Sequence, residues 1–388
     1  MKPVFPAILI CGPPHSGKST LVYYLSALLR RRDIPHYALR ASPDGDGDWS
    51  VRLPDALVAE LRPHVRSEWS PAFATAVAND IARRHLPLLV DAGGKPSPET
   101  EQIAACCTHA IVLTADPSAA IGWEELARRH RLTLLATLES SLTTAQHISN
   151  PGPPLQGVLN GLHRDGDPAG PCMDLLLDRI AACCTWSSDE LFQIHRALTT
   201  IDLVLHVERA FPPLPAHHAV QWQPAELPLL IATLPPEEPL AIYGRGPTWL
   251  YAALAVLAAP APCQVFDVRQ GWVAPPFLML GYHFEGQTLR WSLDIGSNVT
   301  RITFSIAGGY LDYRDAPGMC APYIDPNHGV ILSGKLPNWL WTALACLYSP
   351  AAWVACYQPQ IMAAVVIVSR TAAVPVGMQL PLELSPEI

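Results

Sequence analysis

The chain has 388 residues, of which 49% are hydrophobic and 15% charged, and its formal net charge is −8. That length suits two or three domains with substantial apolar cores, and the composition excludes a globally disordered chain. The acidic balance excludes a non-specific binder of nucleic acid or of anionic membranes, while leaving room for a local basic pocket. Ten cysteines include the adjacent pairs Cys106-Cys107 and Cys183-Cys184 but no Cys-x-x-Cys spacing, so they read as reduced core thiols of a cytoplasmic protein. Residues 1–6 lead directly into a strand without the apolar region of a signal peptide, and apolar runs such as Trp249 to Ala259 are too short to span a bilayer.

Ala7 to Ile10 reads as a buried parallel strand, and it runs into Gly12-Pro13-Pro14-His15-Ser16-Gly17-Lys18-Ser19-Thr20 and then an apolar helical pattern from Leu21 to Arg30. Gly-x-x-x-x-Gly-Lys-Ser between a strand and a helix is the Walker A arrangement. Its glycines let the backbone wrap phosphates, Lys18 reaches the terminal phosphates and Ser19 holds magnesium, so ATP with Mg2+ is the expected occupant of residues 12–20. A second strand, His36 to Arg40, feeds an acidic loop, Asp44 to Asp48, whose Asp46 and Asp48 suit a metal or an acceptor group; Asp-Gly is equally ordinary turn chemistry.

The next apolar strand, Leu86 to Val90, ends on Asp91, which puts a carboxylate beside the magnesium as in a Walker B strand, and Gly93, Gly94 and Lys95 follow. Ala110 to Thr114 is a further strand. Trp123 to Arg131 reads as a helix whose Arg128 and Arg129 form either a lid over the leaving phosphate or a solvated basic face. Leu132 to Ala136 and Gly157 to Asn160 supply the last strands, and Met173 to Cys183 a closing helix. Helices alternating with apolar strands predict an α/β domain, a doubly wound parallel sheet, over residues 1–186.

The second half carries a repeat. Tyr243-Gly244-Arg245-Gly246-Pro247-Thr248-Trp249-Leu250 matches Ser333-Gly334-Lys335-Leu336-Pro337-Asn338-Trp339-Leu340. Each copy reads as strand, Gly-basic turn, Pro and helix, an arrangement that aims backbone N–H groups and a cation at one point and suits an anion. One fold built twice is expected, over residues 196–281 and 282–388. Strand Cys263 to Arg269 of the first copy ends with Asp267 and Arg269 on one face; the second copy has Gln358 and Gln360 there.

Gly244-Arg245-Gly246-Pro247-x-Trp249-Leu250, followed after a short helix by Phe266-Asp267-x-Arg269, resembles the CRISPR-associated Csx-three family, the ring nucleases of type III systems. The resemblance implies a small α+β domain that dimerises, and cyclic tetra-adenylate sandwiched between dimers and cleaved with manganese. Some members are fused to a P-loop domain, as residues 1–186 suggest. It further implies ring contacts from Gly244, Arg245, Gly246, Trp249, Gly334, Lys335 and Trp339, and chemistry from Asp267, Arg269, Arg245 and Lys335. The tandem copies would then make a pseudo-dimer within one chain, and chains would form a homo-oligomer or a ligand-induced stack over one ring. The family's histidine before the Asp-x-Arg strand has no counterpart between Val256 and Cys263; His217, His218 and His328 are the substitutes considered.

Two functional expectations follow. In one, the chain degrades cyclic oligoadenylate, because a ring can be opened by its own 2′-hydroxyl once that group is aligned in line and the charge is stabilised. In the other, the repeats only sense the ring and the P-loop domain acts as a kinase or ATPase around Lys18, Ser19 and Asp91.

Overall fold

The computed structural model describes residues 5–42, 71–163, 166–210, 222–282, 287–307 and 310–381. Asp46, Asp48, His217 and His218 lie outside the described residues. The chain divides into two compact units, Met1–Ile194 and His195–Ile388, so the division falls within the helix Ser188–Arg196 rather than near residue 186, and both expected copies of the repeat share the second unit.

The first unit is built on seven strands: β1 (Ala7–Cys11), β2 (Tyr37–Arg40), β3 (Leu88–Asp91), β4 (His109–Thr114), β5 (Thr133–Ser141), β6 (His147–Asn150) and β7 (Leu155–Asn160). They lie in the order β2-β3-β1-β4-β5-β7-β6. All neighbours are parallel except β6 and β7. Central strands such as Ala7–Cys11 are apolar at every position because both faces are covered. Ile8 and Ile10 pack with Leu21, Leu25 and Ile180 on one face, while Ala7, Leu9 and Cys11 pack with Ile81, Ile103 and Trp123 on the other. A mixed α/β, doubly wound sheet follows directly from that two-sided burial.

The second unit contains β8 (Val204–His206), β9 (Leu240–Tyr243), β10 (Cys263–Asp267) and β11 (Gly271–Val273) in one sheet, ordered β11-β10-β9-β8. A small parallel pair joins β12 (Met279–Gly281) to β15 (Cys320–Pro322). The other large sheet takes β13 (Leu289–Ile295), β14 (Val299–Ile306), β16 (Gly329–Gly334), β17 (Trp353–Gln358), β18 (Ala363–Ser369) and β19 (Gln379–Pro381), in that order. The two sheets share a plan. β8, β9 and β10 run parallel with β11 antiparallel beside β10, as β14, β16 and β17 run parallel with β18 antiparallel beside β17.

A helix joins the second and third parallel strand in each sheet, Thr248–Ala258 in the first and Asn338–Tyr348 in the second. Neither has a polar face: Trp249 to Ala255 are buried without interruption, as are Trp339 to Ala345. Such a helix needs apolar cover all round. It receives it between the sheets, where Val207 just after β8, with Ile242 and Val265 of the first sheet, joins Ile302, Leu332 and Val354 of the second in one core with both helices.

Trp339 is fully buried, so Trp339→Ala should destabilise the second unit by about 3–5 kcal/mol. The loss should appear in denaturant unfolding as a lower midpoint for the unit as a whole. In the first unit, burial and then the nearby Arg84 guanidinium hold His109 below its ordinary value of 6.5. Above that pH the unfolded and folded forms are both neutral; as the pH falls, the unfolded chain takes up the proton first and stability is lost through the folded value. Melting curves of the wild type should therefore drop in midpoint on acidification from neutrality, and His109→Gln should flatten part of that drop.

Candidate functional site

Each unit gathers its candidate residues at the carboxyl ends of its parallel strands, where open α/β sheets place ligands. In the first unit β1 passes into the helix Lys18–Arg31 through Gly12 and Gly17, both at positive φ. A Cβ on Gly12 would lie 1.9 Å from the Leu113 carbonyl oxygen, so only glycine lets the loop run this close to β4. Inside the loop the Pro13 carbonyl accepts from Ser16 Oγ at 3.0 Å and from Lys18 Nζ at 2.7 Å. The ammonium is buried against its own loop near Cys11, whose thiol burial pushes up to about 12 against the opposing pull of Lys18. Pro14 and His15 are exposed, and Ser19 and Thr20 are half-buried in the first helical turn.

Asp91 stands directly across from Ile10 in the β1–β3 register and is itself buried. Gly94 packs on the loop so closely that a Cβ would come within 2.7 Å of Pro14 N. The structure thus brings residues 12–20 together with Asp91 and Gly94. It separates Arg128 and Arg129 from them: these end the helix Ala120–Arg129, just before β5 begins, and so sit at the amino ends of the parallel strands, opposite the loop. Arg129 and His130 both pair with Glu101, and Arg128 lies 3.6 Å from Glu125, which makes this a solvated helix face and not a lid.

In the second unit the first Gly-basic turn follows β9. Gly244 has φ +102°, and a Cβ there would meet Glu208 Oε2 at 2.9 Å and His206 Nδ1 at 3.1 Å. The Arg245 amide donates to Glu208 Oε2 at 2.9 Å, and the buried Tyr251 hydroxyl donates to the Gly244 carbonyl. Burial, then the Glu208, Tyr243 and Asp267 charges, push the Tyr251 hydroxyl far up, so it stays protonated beneath the turn. Asp267 ends β10 and its Oδ1 accepts from the amides of Arg269 at 2.8 Å and Gln270 at 3.3 Å. Arg269 therefore lies in a side-chain-closed turn beyond the strand, and not on a strand face with Asp267. Its Nε is 3.5 Å from the Asp267 carboxylate and its guanidinium lies over the Tyr310 ring, 5.9 Å from the centroid.

The second turn carries Gly334 at φ +136° and an exposed Lys335. Gln358 ends β17 and hydrogen-bonds Gln360 in the short 3-10 helix Pro359–Ile361. Trp249 and Trp339, expected to touch a ring ligand, are 1% and 0% exposed and belong to the core between the sheets; the motif's tryptophan fills space under the turn. His328 precedes β16 and shares a 3.2 Å hydrogen bond with Thr300 Oγ1, at the far end of the sheet from Lys335.

Sequence reasoning missed His206 and Glu208. β8 ends at His206, so Val207 and Glu208 lie in the turn that follows it and strand alternation gives no signal for them. Burial and then Glu208 also push the Tyr243 hydroxyl up, while it sits 2.9 Å from His195 Nδ1 behind the turn.

The fold is mixed α/β in two units, each with glycine-bearing turns at the ends of parallel strands. Residues 305–381 match the family described as CRISPR-associated protein (Cas_csx3), so that segment is similar to CRISPR-associated proteins. The match runs from the end of β14 to β19 and covers the copy with Lys335, Gln358 and Gln360, whereas the motif that carried the resemblance lies in the other copy. No curated protein matches the chain. Among the described residues, no helix is long and apolar enough to cross a membrane.

Gly12→Ala should destabilise the first unit, since the loop must move off Leu113 and adopt a conformation costing about 1–3 kcal/mol. Differential scanning calorimetry should show the loss in the transition of the first unit while that of the second is unchanged.

Proposed function

We propose that this chain is an accessory protein of type III CRISPR defence that binds cyclic tetra-adenylate through the Gly-basic turns of its second unit and opens it, while its first unit binds ATP with magnesium. The observation that carries this reading is the pair of sheets with a shared parallel core, one lying from β16 to β19 within the CRISPR-associated match, each ending a parallel strand on a glycine, a cation and a helix N-terminus. Such ends present N–H donors and positive charge to phosphates. Opening a ring needs its 2′-hydroxyl held in line with the adjacent phosphorus, and Arg245, Arg269 and Lys335 would offset the charge that develops.

The first unit fits ATP: its loop follows a path that Gly12 permits, Lys18 reaches across it, and Gly94 closes against Pro14 with no room for a side chain. The backbone of residues 12–17 and Lys18 would hold the phosphates, and Ser19 and Asp91 the magnesium, which when bound neutralises charge on the terminal phosphate. Among the described residues no three His, Cys, Asp or Glu side chains are grouped to hold a metal ion.

A second reading makes the repeats a sensor and the first unit a kinase or ATPase. It is favoured by one observation, that the segment similar to the family is the copy with two glutamines where the other has Asp267 and Arg269.

Mass spectrometry after incubating the full chain with cyclic tetra-adenylate, with and without ATP and with magnesium or manganese, decides between them. Linear adenylate products are expected from the wild type, and Lys18→Ala should lose ATP binding while still binding the ring. An intact ring, with ATP consumed only in its presence, would overturn ring opening in favour of the sensor.

A further inference from the structure

We infer that His206 is the proton-transferring residue of the first turn, with Glu208 as the residue that positions the turn beside it; this rests on the ring-opening reading above. His206 is the last residue of β8, at the same end of the sheet as Gly244 and Asp267. Its backbone neighbour Val207 is buried in the core and donates its amide to the Tyr243 carbonyl, which carries the chain from the end of β8 alongside the turn after β9. There the imidazole lies against Gly244, and the carboxylate holds the Arg245 amide.

The other histidines of the unit that are described occupy different places. His195 is 1% exposed and bonded to the Tyr243 hydroxyl, and His328 is at the far end of the second sheet. His206 lies against the Tyr243 ring, 5.0 Å away on β9, and shares the space over Gly244 with the Glu208 carboxylate; the charges of Glu208, Arg209 and Arg245 act on that same Tyr243 hydroxyl.

Register comparison sharpens the assignment. His206 stands opposite Tyr243 as Thr303 stands opposite Ser333, so Thr303 and Ser305 take the places of His206 and Glu208 in the second copy. The first turn thus has an imidazole and a carboxylate where the second has two hydroxyls. Imidazole is the side chain that gains and loses a proton near neutrality. In the step, the 2′-oxygen of a ring adenosine bonds to the adjacent phosphorus while its proton passes to the imidazole. The P–O5′ bond breaks, and the imidazolium returns the proton to the departing 5′-oxygen. A linear chain ending in a 2′,3′-cyclic phosphate remains. Chemistry belongs to the first turn, and the second turn holds the ring.

The test uses the full chain with cyclic tetra-adenylate, following products by mass spectrometry, ring affinity by titration and folding by thermal melts. His206→Gln should slow opening by about 100-fold or more with affinity and melting preserved, and should remove the rising limb of the pH–rate profile. Glu208→Gln should shift that limb without removing it. A His206→Gln chain that opens the ring at the wild-type rate with the same profile overturns the inference and leaves the ring-opening reading standing. A wild type that leaves the ring intact overturns both. Should His206→Gln fail to melt cooperatively, the wild-type profile serves alone, and the absence of a limb in the imidazole range overturns the inference.

Discussion

The second unit depends on two helices that have no side to show to water. Thr248–Ala258 and Asn338–Tyr348 are apolar around their circumference, and neither could be covered by one sheet. Burial of that surface is the dominant favourable term available to the unit, and it is available only when both sheets close over both helices. The turns that precede the helices are fixed by the same closure. Each Gly-basic turn sits at a helix N-terminus anchored by a buried tryptophan, so its N–H groups are held in place by the core rather than by a ligand.

Local chemistry made the first unit legible. The loop from Gly12 to Lys18 is specified by residues within one turn of each other, and the strand ending at Asp91 by a run of apolar side chains, so neither depended on distant parts of the chain. What the sequence hid were features set by tertiary context. β6, His147–Asn150, is an edge strand whose exposed side chains leave no apolar pattern to read. Arg128 and Arg129 looked useful by type, and only the direction of their helix shows that they lie at the amino ends of the strands, away from the loop.

In the second unit the repeat was legible as strand, turn and helix, yet residue roles were not. Trp249 and Trp339 stand in a motif of ligand-binding appearance, but a helix that is apolar all round gives no indication of which side faces out. Asp267 and Arg269 obeyed strand parity on paper, and the strand stopped at Asp267 because its carboxylate caps the following turn. His206 and Glu208 escaped because β8 is three residues long, too short for alternation to declare itself, and because the glycine they pack against comes from another strand.

The shared core also bears on how such a protein can change over time. With both helices buried in one core drawn from both sheets, removing either sheet would expose apolar surface of the other. The segment similar to CRISPR-associated proteins begins inside β14 and leaves out β13 and the helix Thr248–Ala258, with which it shares its sheet and its core. Under that constraint the copies are bound to persist together but free to diverge at their rims. That accounts for imidazole and carboxylate at one strand end where two hydroxyls stand at the other.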